Sequence, residues 1–220
     1  IELRVLAHIA GDDAMRKAFC DHVDIHTATA AQVFGVPVEE VTPLQRRHAK
    51  AVNFGIIYGI SDFGLANQLG ISRGEAGAYI KKYFERYPYI HAFMKSMVED
   101  AQKSGRAKTL FGRYRELPDI RSSNFNRRSF AERTAMNTPI QGTAADIMKL
   151  AMIHVWEELH RRKLNSRLSL QIHDELLIET DRAEATEVAE LLKDKMKHAA
   201  ELSVSLEVDL HTGANWYDAK

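Results

Sequence analysis

Cysteine is almost missing from this sequence, with Cys20 standing alone. One thiol can build neither an intrachain disulfide nor a thiolate zinc site, and such usage fits a reducing, cytoplasmic setting. Long apolar runs are missing as well. No uninterrupted stretch approaches the ~18 residues that a membrane span needs, and no signal peptide or lipidation motif is visible. There are no internal repeats or low-complexity tracts. No P-loop, zincin or nucleophile-elbow pattern appears, which leaves a generic nucleotidase without support. Net charge is lacking too, since 30 Lys and Arg face 30 Asp and Glu.

What is present is enough for a packed core. The 220 residues suffice for one large domain or two small ones, and 45% hydrophobic with 27% charged residues is ordinary globular composition. The zero net charge is a sum over an uneven distribution. Nine Lys or Arg stand between Lys103 and Arg133 against three acids, Glu116, Asp119 and Glu132, whereas Asp174 to Lys220 holds twelve acids and five basic residues. One polyanion-facing surface would produce that asymmetry, as would two differently solvated faces. The chain opens on "IELRVLAHIA", without methionine and already in apolar alternation, and reads as cut from something longer.

Local patterns give a helix-rich front and an α+β back. Ile1 to Ala10 reads as the end of a strand or the start of a helix. Ile25 to Phe34 reads as a short helix closed by Gly35. Thr42, Pro43 and Gln45 form a helix-start signature, with threonine capping, proline in the first turn and glutamine three residues after the cap. That helix should run to a stop at Gly59. Helical patterns resume at 63–69, at 73–87 (ended by Pro88) and at 90–103. A hairpin is expected over 107–117, turning near Gly112. Residues 125–137 read as a helix interrupted by Pro139, with a long helix over 140–162 after it. Two short strands are expected around His173 and Asp174, an amphipathic helix over 183–201, and a last alternating strand over 204–210.

Three stretches carry chemistry. In "RRHAKAVNFGIIYG", Arg46, Lys50, Phe54 and Tyr58 recur every four residues, so they form a slowly drifting stripe on one helix. Arginine offers a planar fork and lysine a point charge for a polyphosphate, while the aromatics can stack a base or sugar. A solvated basic turn running into a buried aromatic pair is the plainer alternative. In "LSLQIHDELLIE", a hairpin tip presents Asp174 beside Glu175, and magnesium takes one or two such carboxylates together with phosphate oxygens. A simple polar turn is the alternative there. In "RTAMNTPIQGTAAD", Arg133, Asn137 and Gln141 are again four apart, suited to minor-groove acceptors or a duplex sugar edge, and Gly142 allows another backbone to come close, an amide-rich helix break around Pro139 being the alternative.

These stretches together resemble the family A DNA polymerases, the DNA polymerase I type. "IELRVLAHIA" is similar to the tail of motif A, "RRHAKAVNFGIIYG" to motif B, "QIHDE" to motif C, "RTAMNTPIQGTAAD" to the palm helix and "GANWYDAK" to the C-terminus. The resemblance implies an α+β chain within a right-hand polymerase fold. Residues 12–125 would form mostly helical fingers, and 1–11 with 126–220 a palm holding a small antiparallel sheet. It implies template-directed addition of a deoxynucleotide to a primer 3′-hydroxyl, with two Mg2+ ions aligning the attacking and leaving oxygens. Asp174 and Glu175 would bind metal and, with Lys50, act catalytically. Arg46 and Lys50 would hold the triphosphate, Phe54 would pack on the sugar, Tyr58 would close the nascent-pair pocket, and Glu2 would exclude a ribose 2′-hydroxyl. Arg133, Asn137, Gln141 and His173 would contact primer and template, with Arg113 and Arg115 as further DNA contacts. The partners implied are primer–template DNA and deoxynucleoside triphosphates, in a monomeric bacterial cytoplasmic parent without a membrane.

In that family an Asp-Tyr-Ser-Gln sequence precedes the Ile-Glu seen here as Ile1 and Glu2. Its aspartate, the second bridging metal ligand, would fall four residues before Ile1. The 220 residues by themselves are therefore expected to be inactive, with thumb and any nuclease domains upstream. Two alternatives remain at the level of sequence. One is a related single-subunit RNA polymerase, which Glu2 and the glutamate after Asp174 disfavour. The other is a non-catalytic DNA-binding module using the basic 103–133 stretch.

Overall fold

Alternating helical caps and breaks set out most of the architecture. The structure, a computed structural model, describes residues 1–219. Its helices are α1 (Glu2–Ala10), α2 (Asp13–Cys20), α3 (Ile25–Phe34), α4 (Pro43–Ile57), α5 (Asp62–Leu69), α6 (Arg73–Arg86), α7 (Pro88–Ser104), α8 (Phe125–Arg161) and α9 (Ala185–Lys197). Two antiparallel hairpins complete the α+β composition. They are β1 (Arg106–Lys108) with β2 (Tyr114–Glu116), and β3 (Arg167–Ile172) with β4 (Glu175–Glu179). Contacts divide the chain into two compact units, Glu2–Thr143 and Ile1 with the chain from Ala144. That boundary falls inside α8 and groups residues 2–11 with 12–143, a division by compactness that differs from the expected fingers and palm.

Within Glu2–Thr143, α3 packs along α4, α5 along α6, and α1 against α2 and α7. Small residues on α3, with Thr29, Ala30 and Ala31 all buried, let α4 come close. Asp12, Asp24, Ser61 and Ser72 cap α2, α3, α5 and α6, each accepting a backbone N–H of the first turn. Thr42 and Gln45 form a reciprocal capping box at the start of α4. A second core holds Ala101, Ala107, Leu117, Ile120, Ala131 and Ala135, joining α7, the first hairpin and α8. In the other unit, Val155 and Leu159 of α8 meet Val188 and Leu191 of α9, with Leu176 and Ile178 of β4 against them. Glu184 fixes the entry to β3 through Asn165 N, Ser166 N and Ser166 Oγ.

Residues 2–10 are helix, one of the two readings the sequence leaves open. Three sequence expectations change. Pro88 opens α7 at its first position, where its missing N–H costs nothing, rather than merely ending α6. Pro139 does not divide α8, which is one 37-residue helix. A proline inside a helix costs about 3 kcal/mol, but Ala135, Pro139 and Ile140 are all buried, so packing on both sides of the defect holds the helix together. The Thr138 hydroxyl also bonds the Thr134 carbonyl at 2.7 Å beside it. Finally, 204–210 keeps its alternation, with Val204 and Leu206 buried and Glu207 and Asp209 exposed, yet it joins no ladder among the described residues.

Candidate functional site

Helix α4 presents the stripe as a graded surface. Arg46 and Lys50 are exposed, Phe54 is half-buried, and Tyr58 caps the C-terminal end of the helix with 43% exposure. The two cations differ in what they already hold. Arg46 donates a bidentate pair to Asp24, Nε to Oδ1 at 3.2 Å and Nη2 to Oδ2 at 2.7 Å. Burial pushes the Asp24 carboxyl up, but bonds from Arg46 and from Thr27 outweigh it and bring it to about 2. Lys50 has no hydrogen bond or ion pair among the described residues, so its charge is available to a ligand.

The aromatic half is anchored to other elements. The Phe54 ring lies 5.7 Å from the His26 ring of α3. The Tyr58 hydroxyl donates to Glu2 Oε2 of α1 at 3.0 Å. Burial, then the Glu2 charge and this bond, raise the Tyr58 pKa and keep the phenol protonated as a donor. Gly59 then turns the chain at φ 65°, and a Cβ there would come within 2.6 Å of Met136 and 2.8 Å of Arg133 on α8. This bare glycine lets the end of the stripe lie against the second polar row.

That row is Arg133, Asn137 and Gln141. Because α8 is continuous, all three share one face at steps of four. Arg133 and Gln141 are exposed and Asn137 is half-buried, with its Nδ2 shielded and without a hydrogen-bond partner. Arg133 also donates to Ser129 Oγ at 2.9 Å. Gly142 admits the Thr109 methyl at a distance where a Cβ would stand only 2.6 Å away, so a side chain rather than backbone approaches it. Arg113 Nη2 donates to the Gly142 carbonyl at 3.2 Å, and Leu110 N to Thr143 Oγ1 at 2.9 Å, docking the first hairpin on this stretch.

The basic 103–133 stretch is partly committed to structure. Arg121 bonds the Gln102 and Lys103 carbonyls at the end of α7, Arg128 bonds the Ser122 carbonyl, and Arg106 covers the Tyr114 ring. Lys103, Lys108, Arg115 and Arg127 are exposed without an ion pair among the described residues. Arg121, Arg128 and Arg133 bond neutral oxygens and so keep their charge alongside these four.

In the other unit, β3 and β4 meet at a two-residue turn, His173 and Asp174. His173 adopts φ 50°, a left-handed conformation uncommon outside glycine, and its carbonyl accepts from Gln171 Nε2 at 2.7 Å. Asp174 and Glu175 are exposed and have no partner among the described residues. They border a cavity of about 590 Å³ that Leu177, Glu207, Asp209 and Trp216 also line. Among the described residues no group of three or more His, Cys, Asp and Glu side chains is assembled to hold a metal. Two adjacent, unpaired carboxylate groups nonetheless fit a hard cation that takes its remaining oxygens from phosphate and water.

Sequence reasoning missed Asp24 and His26. Each reaches the stripe only because α3 packs on α4, although the Asp-Ile-His run at a helix start was a visible signal.

Comparison with known proteins adds a consistent result. The family model described as DNA polymerase family A matches residues 1–218. The chain is 54% identical to DNA polymerase I of Bacillus caldotenax and 53% identical to that of Bacillus subtilis strain 168, over its full length and 25% of each relative. It thus spans about a quarter of the length of these curated relatives. It also superposes, with a TM-score of 0.96 and 43% identity, on the POL domain of Pol1 from M. smegmatis in complex with DNA primer-template and dNTP, covering all of this chain and 39% of that one.

Proposed function

The chain belongs to DNA polymerase family A, and from that premise we propose that it carries the nucleotide-binding helix and one metal-binding turn of a DNA-directed DNA polymerase. The observation that carries the reading is the α4 stripe itself. A free Lys50 lies between a clamped Arg46 and an aromatic pair whose last member is tied to Glu2. The Pol1 domain it superposes on was solved with primer-template and dNTP, which supports the same ligands here.

In this reading Arg46 and Lys50 bind the triphosphate, Phe54 lies against the sugar, and Tyr58 with Glu2 closes the pocket on the 2′ side. Arg133, Asn137, Gln141 and His173 touch primer and template, with Arg113 and Arg115 alongside. Residues 12–125 then act as fingers, and 1–11 with 126–220 as palm. Asp174 and Glu175 would hold divalent metal, Mg2+ being the expected ion, which when bound activates the attacking hydroxyl and screens the leaving pyrophosphate in a two-metal reaction. Lys50 orients the triphosphate so that the phosphorus–oxygen bond to be broken lies opposite the primer hydroxyl, and its positive charge meets the charge that develops there. Bacterial relatives support a cytoplasmic setting, and among the described residues no helix is long and apolar enough to cross a membrane. Residues 1–220 alone are proposed not to extend a primer, because among the described residues no group of three or more His, Cys, Asp and Glu side chains is assembled to position two metals.

The test is Lys50→Ala in a polymerase containing this chain. Incorporation efficiency should fall roughly 10- to 150-fold, the loss of one charged hydrogen bond of about 1.5–3 kcal/mol. Unchanged efficiency for all four nucleotides would show that the stripe faces no triphosphate.

A further inference from the structure

Asp12 Oδ2 and Tyr83 Oη are shielded from solvent, and neither has a hydrogen-bond partner among the described residues. Each residue is only 1% exposed. Asp12 caps α2, and its other oxygen, Oδ1, accepts from Met15 N at 3.0 Å. Tyr83 is the large buried side chain of α6, its ring 4.9 Å from the Tyr87 ring. The cap bond holds the carboxylate and ring packing holds the phenol, so neither turns out to bulk water. Leaving such groups bare is costly, and native interiors rarely do so.

The two groups act on each other without a direct bond. Burial pushes the Tyr83 phenol well up, and the charges of Tyr87 and Asp12 add to that, so Tyr83 keeps its proton as a donor. A carboxylate oxygen accepts, and a phenol offers its proton. What joins them must therefore accept from Tyr83 and donate to Asp12. Water does both. A bare cation would answer the carboxylate but leave the phenol proton unpaired. A third group is at hand, because the Asp12 charge also acts on Tyr87. Tyr87 Oη lies 3.5 Å from Thr29 Oγ1, whose own proton goes to the Ile25 carbonyl at 2.8 Å. Tyr87 is then the donor in that long contact, and its oxygen lone pairs remain to accept.

We propose that Asp12, Tyr83 and Tyr87 form a binding site for one internal water, which accepts from Tyr83 and donates to Asp12 and Tyr87. Three bonds are the usual complement of a buried water. Through it a single carboxylate acts twice, Oδ1 starting α2 and Oδ2 reaching α6. The far end of the bridge is the α6–α7 corner, where Tyr87 closes α6 and Pro88 opens α7. The corner is thereby tied to the start of α2 and, through Thr29, to α3, the helix on which α4 packs.

A crystal structure of a polymerase containing this chain, at a resolution that shows ordered water, tests the site. One buried water should stand within about 2.6–3.2 Å of both Asp12 Oδ2 and Tyr83 Oη. A direct bond between the two side chains, no density between them, or a metal ion there overturns the proposal. Native-state hydrogen exchange on the same protein gives a second reading, because it reports local opening of α6. Tyr83→Phe removes the proton that the water accepts, and should speed exchange of the α6 amides roughly 10-fold. Asp12→Ser keeps a capping hydroxyl for α2 while removing the second oxygen. In that background Tyr83→Phe should speed exchange less than about threefold, since the bridge is already broken. Equal effects in the two backgrounds mean that Asp12 and Tyr83 share no partner, which also overturns the proposal.

Discussion

The Tyr58 hydroxyl donates to Glu2 Oε2 at 3.0 Å, tying the C-terminal end of α4 to the first turn of α1. Residues 56 positions apart thus form one wall of the proposed sugar pocket. Glu2→Ala removes the carboxylate that would crowd a 2′-hydroxyl, and discrimination against ribonucleotides should relax roughly 10- to 100-fold. Tyr58→Phe leaves Glu2 in place without its anchor and should relax it less. Competition between a ribonucleotide and its deoxy counterpart measures both, and wild-type ratios in both variants would remove Glu2 from the pocket.

At Gly59 the backbone needs φ 65°, and the space a Cβ would take is filled by Met136 and Arg133. Gly59→Ala therefore meets left-handed strain of about 1–2 kcal/mol and must push two side chains aside. Both are flexible, so the added cost is small and the expected total is about 1–3 kcal/mol. Urea unfolding of the variant should show a lower midpoint with an unchanged slope. Equal midpoints would mean the turn adopts another conformation.

Much of this arrangement was legible in the sequence, and the reasons are local. The Thr42–Gln45 capping box, the Gly59 stop and the two-residue turn at His173 and Asp174 are set by residues within a few positions of each other. Pro139 misled because its steric rule is local, whereas the burial of Ala135 and Ile140 that overrides it is tertiary. The 204–210 alternation reads as a strand and does bury Val204 and Leu206, but alternation does not say whether a neighbouring strand is present to pair with. The Asp24 clamp on Arg46 and the Asn53 bond to His26 span 22 and 27 positions, and no periodicity encodes such contacts.

The Asp24–Arg46 pair predicts an acid response of defined sign. The carboxyl titrates at about 2 in the folded chain against about 3.9 when unfolded. Its contribution is thus fully present above about pH 5 and is lost as pH falls through 2. Both side chains are nearly half exposed, so solvent screening keeps the effect modest. Asp24→Asn should be less stable than wild type at neutral pH, with the difference shrinking below about pH 5 and vanishing near pH 1. A difference that persists at about pH 1 would assign it to the α3 cap rather than to the ion pair.

Phe54 offers the sharpest test of how the stripe meets a sugar. Its ring is half-buried beside His26, so its position is set by packing rather than by any ligand. If its edge lies along the incoming ribose, it supplies no hydrogen bond where the 3′-hydroxyl sits. A nucleotide lacking that hydroxyl then leaves a polar gap that nothing on the ring can fill, and it should be disfavoured. Phe54→Tyr brings a hydroxyl into the gap, which can stand in for the missing group while the ring keeps its place. Dideoxynucleotide incorporation should rise strongly, by a factor of roughly 10 or more for about 1.5 kcal/mol, with little loss of ordinary synthesis. The measurement is a competition between each dideoxynucleotide and its natural counterpart in a polymerase containing this chain. A ratio unmoved by Phe54→Tyr, in a variant whose ordinary synthesis is intact, would mean that the aromatic half of the stripe faces something other than the sugar.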